Sequence, residues 1–554
     1  MIFTVDQTVE AGNRENEVKL KMPDNNHKCN SQKPKSILAK IHMYFKEYCN
    51  STSIHGFKYF AESRSLCERL LWLILVLFSI SACVYLIVQT YVKFQQSPVI
   101  VSFATTNTPI YTIPFPAVTI CPLSKARSSL FNFTDVMAKI KRAKQISDKE
   151  KRYAKYMSLL CGRGSPFFKE ESTFTEDFFS GIDEFKIPQR EFMLSCVFLD
   201  SQESCQKLFH PIIADQGICY TFNMLDRKYI YNENVVLDKK YHFLNQSTLG
   251  WTVDKGYQTD RKGRDSNYPY RALLSGAENA LQITMFQNVS NIDHYCVKDV
   301  QGFNVLIHPP HTLPRLKKQF FTVGFKQSVM ASVRPNEMTT SDQVLQFDSS
   351  IRKCYFSTEK KLKYFKVYTP GNCELECLTE YTLKRCGCVS YYMPREEGTL
   401  LCGNANASCM GKAEYSLKRK QSLEVEREEE NGHYSCDCKP LCSDVTYNTE
   451  ISGSYWDLED QIQAWFSNFN MPRDKWSQYA KLTIFFEQDS FLTSERNELY
   501  SPIDFLANFG GLLGLFTGFS LLSAAEIIYF LTLRMCCNFR LYRSLFGQKT
   551  DNIA

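Results

Sequence analysis

The stretch FGGLLGLFTGFSLLSAAEIIYFLTL, from Phe509 to Leu533, is the apolar segment that decides the fold. About 20 apolar residues suffice to cross a bilayer, so this stretch predicts a membrane helix. Small residues, which let neighbouring backbones approach closely, are concentrated in its first half: Gly510, Gly511, Gly514, Gly518 and Ser520. Glu526 lies further along, and an ionisable group inside a span costs roughly 2.5–3.5 kcal/mol to insert, so it usually faces a bundle interior or water.

These features fit two interpretations. The first is the wall of a cation path, with small residues at close quarters followed by an acid. The second is a tight helix–helix contact in which Glu526 extends to the membrane surface. A plain anchor needs only bulky apolar side chains, so the pattern favours the cation path.

A second apolar stretch, LLWLILVLFSISACVYLIVQTYV from Leu70 to Val92, is long enough to span and carries no charge. Basic residues before the first span and after the second place both termini in the cytoplasm under the positive-inside rule: Lys58, Arg64, Arg69, Arg534, Arg540, Arg543 and Lys549. The N-terminus has no signal-peptide core. We therefore expect a cytoplasmic segment 1–69, a transmembrane helix 70–92, an extracellular domain 93–502, a transmembrane helix 503–533 and a cytoplasmic segment 534–554.

Cysteine usage agrees with this topology. Sixteen of the 22 cysteines fall in the expected extracellular domain, and an even set is what full oxidation requires. Close pairs such as Cys436-x-Cys438 also suit zinc, but an oxidising compartment favours disulfides. The same domain holds four N-x-S/T triplets, which predict glycosylation at Asn132, Asn245, Asn288 and Asn406.

Composition and motifs exclude other classes. The net charge of +6 is spread along the chain, with no basic block interleaved with aromatics, so no nucleic-acid partner is expected. There is no nucleophile elbow, H-E-x-x-H or phosphate loop, so the chain is not expected to be an enzyme. Between the spans, β-branched and aromatic runs in 99–119 and 481–487 predict strands, and 130–160 predicts helix.

Several motifs occur together in this chain. They are the cluster Cys373-x3-Cys377-x8-Cys386-x-Cys388, FPAVTICP (Phe115 to Pro122), GICYTFN (Gly217 to Asn223), His55-Gly56 before the first span, and Gly518-x-Ser520 in the second. In combination they resemble the degenerin/epithelial sodium channel family. Details such as GWTVDKGY and CGCVSYYMPR are similar to its insect pickpocket branch.

The resemblance implies a disulfide pattern that spacing alone leaves open. The implied pairs are Cys121–Cys219, Cys196–Cys205, Cys354–Cys442, Cys373–Cys438, Cys377–Cys436, Cys386–Cys409 and Cys388–Cys402. Cys161 and Cys296 are left over. We expect them to bond each other, the alternative being two free thiols.

The resemblance also implies an α+β membrane protein with two transmembrane helices and a large, disulfide-rich, β-centred extracellular domain of palm, finger and thumb type, assembled as a trimeric channel. Gly518, Phe519 and Ser520 would form the selectivity filter, where carbonyls and a hydroxyl replace part of the hydration shell of sodium. Phe519 departs from the small middle residue common in relatives. The other implied pore and gate residues are Ala507, Asn508, Gly510, Gly511, Gly514 and Glu526.

His55 and Gly56 would form a cytoplasmic gating motif, although His55 alone fits an ordinary helix cap equally well. The implied function is a subunit of a voltage-independent, amiloride-type, sodium-permeable channel in the plasma membrane, gated by an extracellular chemical or mechanical stimulus in a sensory role. We expect a homo- or heterotrimer with related subunits, an unidentified extracellular ligand, and no cofactor or metal besides the permeant sodium ion. The alternative is a non-conducting accessory or receptor subunit.

Overall fold

The computed structural model describes residues 37–96, 99–162, 166–168, 172–175, 177–238, 240–242, 250–258, 268–296, 300–424, 436–465, 477–542 and 546. The expected glycan acceptor Asn245 lies outside these residues, as do Arg543 and Lys549 of the C-terminal segment. The chain forms two compact units. The first combines Met1–Val92 with Ser501–Ala554, and the second is Lys93–Tyr500.

The helices are numbered in chain order. They are α1 (Ile37–Ser51), α2 (Lys58–Ala61), α3 (Leu66–Gln96), α4 (Phe133–Lys141), α5 (Asp148–Leu160), α6 (Asp177–Phe185), α7 (Cys205–Leu208), α8 (Arg227–Ile230), α9 (Ser349–Arg352), α10 (Pro370–Cys386), α11 (Ala407–Glu424), α12 (Leu458–Trp465), α13 (Pro502–Thr517), α14 (Leu521–Leu531) and α15 (Leu533–Tyr542).

The strands follow the same convention. They are β1 (Val99–Phe103), β2 (Thr108–Pro109), β3 (Ala117–Pro122), β4 (Thr173–Phe174), β5 (Met193–Phe198), β6 (Ser201–Glu203), β7 (Phe209–Ala214), β8 (Gly217–Phe222), β9 (Trp251–Thr252), β10 (Gly256–Tyr257), β11 (Leu281–Asn288), β12 (Phe303–His308), β13 (Phe321–Val323), β14 (Gln327–Thr340), β15 (Leu401–Cys402), β16 (Asp444–Tyr455), β17 (Ser477–Phe486), β18 (Ser490–Phe491) and β19 (Ser494–Glu498).

The first unit is helical. By length and composition, Leu66–Gln95 and Leu521–Leu541 are each able to cross a membrane, and Pro502–Thr517 is a shorter apolar helix. Many apolar side chains of α3 are exposed in the single chain, for example Phe78 and Tyr85. Such exposure suits an apolar solvent rather than water.

The second unit is built on two sheets. An eight-stranded mixed sheet has the order β1-β19-β14-β17-β11-β5-β6, with β16 paired to β14. A five-stranded antiparallel sheet has the order β13-β12-β3-β8-β7. Aromatic side chains such as Phe115, Phe222 and Phe303 fill the core between the sheets. A second core joins the five-stranded sheet to helices α4, α5, α6, α10 and α11.

Both faces of the five-stranded sheet are therefore covered. Every residue of β3 and of β12 is buried, as expected of strands packed on two sides. The predicted strand at 481–487 corresponds to β17. The predicted helix at 130–160 is divided into α4 and α5, since Ala143 adopts a left-handed conformation (φ 53°) between them.

Eight disulfides hold the second unit together. They are the same eight pairs that the sequence analysis expected: Cys121–Cys219, Cys161–Cys296, Cys196–Cys205, Cys354–Cys442, Cys373–Cys438, Cys377–Cys436, Cys386–Cys409 and Cys388–Cys402. Their Cα–Cα distances of 4.4 to 6.0 Å lie in the normal range. The cysteines that the structure describes as free (Cys49, Cys67, Cys83, Cys536 and Cys537) all belong to the first unit.

The Cys161–Cys296 bond can be tested directly, since the family resemblance did not supply it. Non-reducing peptide mapping by mass spectrometry should recover one linked peptide containing both cysteines. The Cys121–Cys219 peptide serves as an internal control for complete oxidation. Recovery of Cys161 and Cys296 as free thiols beside an intact Cys121–Cys219 peptide would contradict the pairing.

Two histidines of the second unit, His242 and His308, are buried, and we expect their burial to lower the stability of this unit in acid. Burial lowers the pKa of His242 and of His308 from 6.5 to about 4. His308 Nδ1 lies 3.0 Å from the Pro309 carbonyl, and Nε2 lies 2.8 Å from the Thr119 hydroxyl. Between pH 6.5 and 4 the unfolded chain binds protons that the folded chain does not, so stability falls as pH falls through this window.

We expect each histidine to lower the free energy of unfolding by about 2–3 kcal/mol at pH 4.5 relative to neutral pH. The thermal unfolding midpoint of the detergent-solubilised chain should therefore drop between pH 7 and pH 4.5. Substitution His308→Gln should reduce that drop, whereas His294→Gln, at an exposed position, should leave it unchanged. An unfolding midpoint that does not vary over this pH range would contradict the prediction.

Candidate functional site

The apolar segment from Phe509 to Leu533 is interrupted at Gly518-Phe519-Ser520. Helix α13 begins with a capping box between Ser501 and Asp504 and ends at Gly518, which is left-handed (φ 68°). Helix α14 starts at once, because the Ser520 side chain accepts a hydrogen bond from Ser523 N. Glycine is a common C-terminal capping residue of helices, and serine is a common N-terminal one. The continuous hydropathy of Phe509–Leu533 predicts one helix, whereas the structure divides this segment at the predicted filter.

The break leaves carbonyl groups at the end of α13 without partners in their own helix. Within a membrane each unsatisfied backbone group costs several kcal/mol. Two of these carbonyls are satisfied from elsewhere in the first unit. His55 N donates to Thr517 O over 2.9 Å, and Ser79 Oγ donates to Phe516 O over 2.5 Å. The backbone of His55 and the Ser79 side chain of α3 thus stabilise the break.

The His55 side chain lies directly against Gly518. A Cβ atom added at Gly518 would lie 2.8 to 2.9 Å from three atoms of the His55 ring. Glycine is therefore required here twice, by its left-handed backbone and by the close approach of the ring. Gly56 is similarly constrained, since it has φ +89° and an added Cβ would lie 2.5 Å from Val76 Cγ2. The two predicted motifs, His55-Gly56 and Gly518-x-Ser520, meet in space.

Glu526 is held by the same segment. Ser53 N donates to Glu526 Oε2 over 3.2 Å, and Ser53 Oγ lies 2.7 Å from Ser523 Oγ. Ser523 is fully buried and also accepts from Ser520 N at 3.1 Å. Ser523 therefore links the helix break to the segment before α3. Ser53, Ser79 and Ser523 are not among the residues predicted from the sequence, although the spacing of Ser520 and Ser523 is a recognisable helix-start signal.

Helix α1 contacts the C-terminal end of the apolar segment Phe509–Leu533. Tyr44 OH donates to Phe530 O over 2.5 Å, and the Tyr48 and Phe530 rings meet edge to face with centroids 5.3 Å apart. Arg534 pairs with Glu47 and lies over the Phe530 ring. The segment from Tyr44 to Gly56 thus lies along the apolar segment Phe509–Leu533, from its C-terminal end back to the helix break.

The other predicted pore residues lie on α13. Ala507, Asn508, Gly510 and Gly511 are exposed in the single chain, and Gly514 is half-buried. An added Cβ would meet no atom within 4 Å at Gly510 or Gly511. This part of α13 therefore presents a smooth, unoccupied surface, and its residues are not brought to the His55–Gly518 contact. Phe519 is half-buried within the break.

The predicted glycan acceptors differ in accessibility. Asn132 and Asn288 are exposed. Asn406 is half-buried, and its Nδ2 donates to Ser172 O over 2.7 Å. Because a glycan attaches at this nitrogen, the geometry favours Asn132 and Asn288 over Asn406.

Comparison with known proteins gives one consistent match. The family model described as amiloride-sensitive sodium channel matches residues 48–530. Pickpocket protein 28 of Drosophila melanogaster is 28% identical over 518 residues, covering 92% of this chain and 81% of the relative. Sodium channel protein Nach of Drosophila melanogaster is 24% identical, covering 90% and 88%. The human bile acid-sensitive ion channel is 21% identical, covering 91% and 88%.

The family resemblance predicted from the sequence is thereby confirmed. The matched region contains the helix break, the His55-Gly56 motif and all eight disulfides. Because the family consists of ion channels, the chain is a membrane protein and not an enzyme. The chain belongs to the amiloride-sensitive sodium channel family, with Drosophila pickpocket proteins among its relatives.

Proposed function

We propose that this chain is a pore-forming subunit of a sodium-permeable, voltage-independent, amiloride-type channel. The observation that carries the proposal is the helix break at Gly518-Phe519-Ser520, with its backbone supported by His55 and Ser79. Irregular backbone at membrane depth is tolerated where it is buried in protein or lines a water-filled cavity. A plain membrane anchor would have no reason to interrupt its helix.

In this proposal three chains assemble around an axis, either as a homotrimer or with related subunits. Gly518, Phe519 and Ser520 form the filter, where backbone carbonyls and a hydroxyl replace part of the hydration shell of sodium. Glu526 adds negative potential beside it. Gly510 and Gly511 are exposed and have no side chain, so neighbouring helices can approach closely at this position.

The topology follows from the charge distribution around the two spans. Both termini lie in the cytoplasm of a plasma-membrane protein, His55 and Gly56 act on the pore from the cytoplasmic side, and residues 93–502 are extracellular. Asn132 and Asn288 carry glycans, as does Asn245, with Asn406 the least accessible acceptor. The large extracellular domain receives a chemical or mechanical stimulus in a sensory cell.

A non-conducting accessory subunit is the second candidate. It is favoured by Phe519, whose ring replaces a small residue in the middle of the proposed filter. A bulky side chain at this position narrows a three-fold pore unless it turns between the helices. If the ring narrows the pore enough to prevent conduction, the chain would instead traffic or modulate a related conducting subunit.

Oocyte recording separates the two candidates. The chain is expressed alone and with related subunits, and current is measured under acid, low osmolarity, stretch and candidate ligands, with sodium replaced by potassium in parallel. An amiloride-blocked current whose reversal potential follows sodium supports the pore-forming proposal. Normal surface expression without current when the chain is alone, together with a partner's current that keeps its selectivity when Ser520 is substituted, supports the accessory role.

A further inference from the structure

The excess positive charge of this chain is concentrated around one turn of the second unit. Residues 139–155, from the end of α4 to the middle of α5, contain eight basic and two acidic side chains. Their net charge of +6 equals that of the whole chain, so the remaining residues are balanced. The charge is therefore less evenly spread than the composition alone indicates.

The turn between α4 and α5 is folded, and its basic side chains face solvent. Lys144 N donates to Lys139 O over 3.0 Å, so the chain turns back directly after α4. Ile146 packs against the helical core of the unit. Three exposed side chains together form what we call the basic turn: Lys141, Arg142 and Lys144. The fold thus presents three neighbouring cations on a fixed backbone.

Carboxylates of the same region do not neutralise the basic turn. Asp135 and Glu150 both pair with Lys139, whose Nζ lies 2.9 and 3.1 Å from their oxygens. Asp148 is exposed, and none of the described residues forms a salt bridge with the basic turn. Unpaired like charges at close quarters repel one another, so an external anion would stabilise this surface.

The chemistry of the basic turn favours an extended, sulfated anion. A site for single-stranded nucleic acid combines cations with aromatic side chains on which bases stack, but the one aromatic residue of 139–155, Tyr153, is buried. Short runs rich in lysine and arginine suit heparin-like chains instead. The disulfides indicate an oxidising compartment for this unit. In the proposed topology that compartment is extracellular, where sulfated polysaccharides occur.

We propose that the basic turn binds a sulfated polysaccharide outside the cell. The Arg142 guanidinium group donates to sulfate oxygens, and the ammonium groups of Lys141 and Lys144 pair with neighbouring sulfates. Lys149 and Lys151, exposed in the first turn of α5, extend the positive charge. This inference rests on the proposed topology, and such binding would attach the second unit to extracellular material.

Binding is tested on the full chain purified in detergent, by biolayer interferometry. The probe is an immobilised heparin oligosaccharide. Its matched control is heparosan of the same length, which keeps carboxylates but lacks sulfates, and a poly-glutamate peptide represents acidic proteins. We expect saturable binding to heparin and at least about tenfold weaker binding to both controls. The measurement needs no ion current, so its failure is distinct from failure of the proposed channel activity.

A variant without the three charges assigns the surface. The combined substitution Lys141→Gln, Arg142→Gln and Lys144→Gln should weaken heparin binding at least about tenfold. It should also reduce the slope of log affinity against log salt concentration by about two to three, because fewer counterions are released. Since these side chains are exposed, the thermal unfolding midpoint should stay the same, which separates lost binding from misfolding.

The matched control variant removes the same charge elsewhere in the second unit. It combines Lys418→Gln, Arg419→Gln and Lys420→Gln, at exposed positions of α11, and should change heparin affinity by less than about twofold. Absence of heparin binding, equal affinity for heparin and heparosan, or equal loss in the two variants would overturn the proposal. Equal affinity for heparin and poly-glutamate would also overturn it, since acidic proteins would then be the fitting partner.

Discussion

Substitution Ala507→Val is expected to give a constitutive, amiloride-blocked sodium current in any assembly that contains this chain and conducts. Ala507 lies on the exposed surface of α13, upstream of Gly510 and Gly511. In the proposed trimer, closure requires three such helices to approach one another at this position. The two added methyl groups overpack the closed state and leave the open state unaffected.

Overpacking a tight contact costs about 1–3 kcal/mol. A penalty of that size, confined to the closed state, shifts the closed–open equilibrium about 5- to 150-fold toward opening. The measurement is the amiloride-sensitive current at rest, normalised to surface protein. Ala507→Ser is the matched control and should behave as the unsubstituted chain. Ala507→Val channels that conduct on stimulation but show no raised resting current would contradict this position of the gate.

Substitution Gly518→Ala is expected to abolish most of the current. The left-handed conformation of Gly518 costs a non-glycine residue about 1–2 kcal/mol, and the new Cβ would lie 2.8 Å from the His55 ring. The chain must either move His55, which releases its bond to Thr517 O, or change the helix break itself. Either movement displaces the proposed filter, so we expect a loss of current of more than about tenfold at unchanged surface expression.

The two causes can be separated with a second substitution. His55→Ala in the Gly518→Ala background removes the ring contact but not the backbone penalty, so current should recover in part. His55→Ala alone is the control for loss of the ring. Full current and unchanged sodium preference in Gly518→Ala would show that the break lies outside the conduction path. No recovery in the double variant would show that the ring contact is unimportant.

The sequence could predict much of this architecture because its signals are local. Hydropathy marks the apolar segments, and the pattern around Cys373 and Cys436 carries the family resemblance that implied seven of the disulfides. The pair Cys161–Cys296 followed from being left over. These inferences need no knowledge of how distant segments pack.

The helix break was within reach of the sequence and was missed. Gly518 followed by Ser520 is a helix stop directly before a helix start, but the uniform hydropathy of Phe509–Leu533 favoured a single helix. The interactions that support the break were beyond reach. Ser53 and Ser79 are more than 430 residues from their partners Ser523 and Phe516, and an isolated serine gives no indication of its tertiary partner.

The second unit illustrates the same limit, since Glu337, Glu495 and Trp251 line one cavity there. Glu337 and Glu495 belong to separate strands of the large sheet, and Trp251 belongs to a hairpin outside it. Nothing in the spacing of these residues brings them together. The strand register does so, and register depends on packing over the whole sheet.

We propose that the break at Gly518-Phe519-Ser520 lines a water-filled cation path. The most direct test is the current of a Ser520→Cys channel before and after a positively charged, membrane-impermeant thiol reagent. The unsubstituted chain, which has exposed Cys67, Cys536 and Cys537, and Leu521→Cys, whose residue is 90% exposed on the single chain, serve as controls. We expect rapid, permanent block of the Ser520→Cys current and no block in either control. A conducting Ser520→Cys channel that the reagent leaves unchanged from either side of the membrane would contradict it.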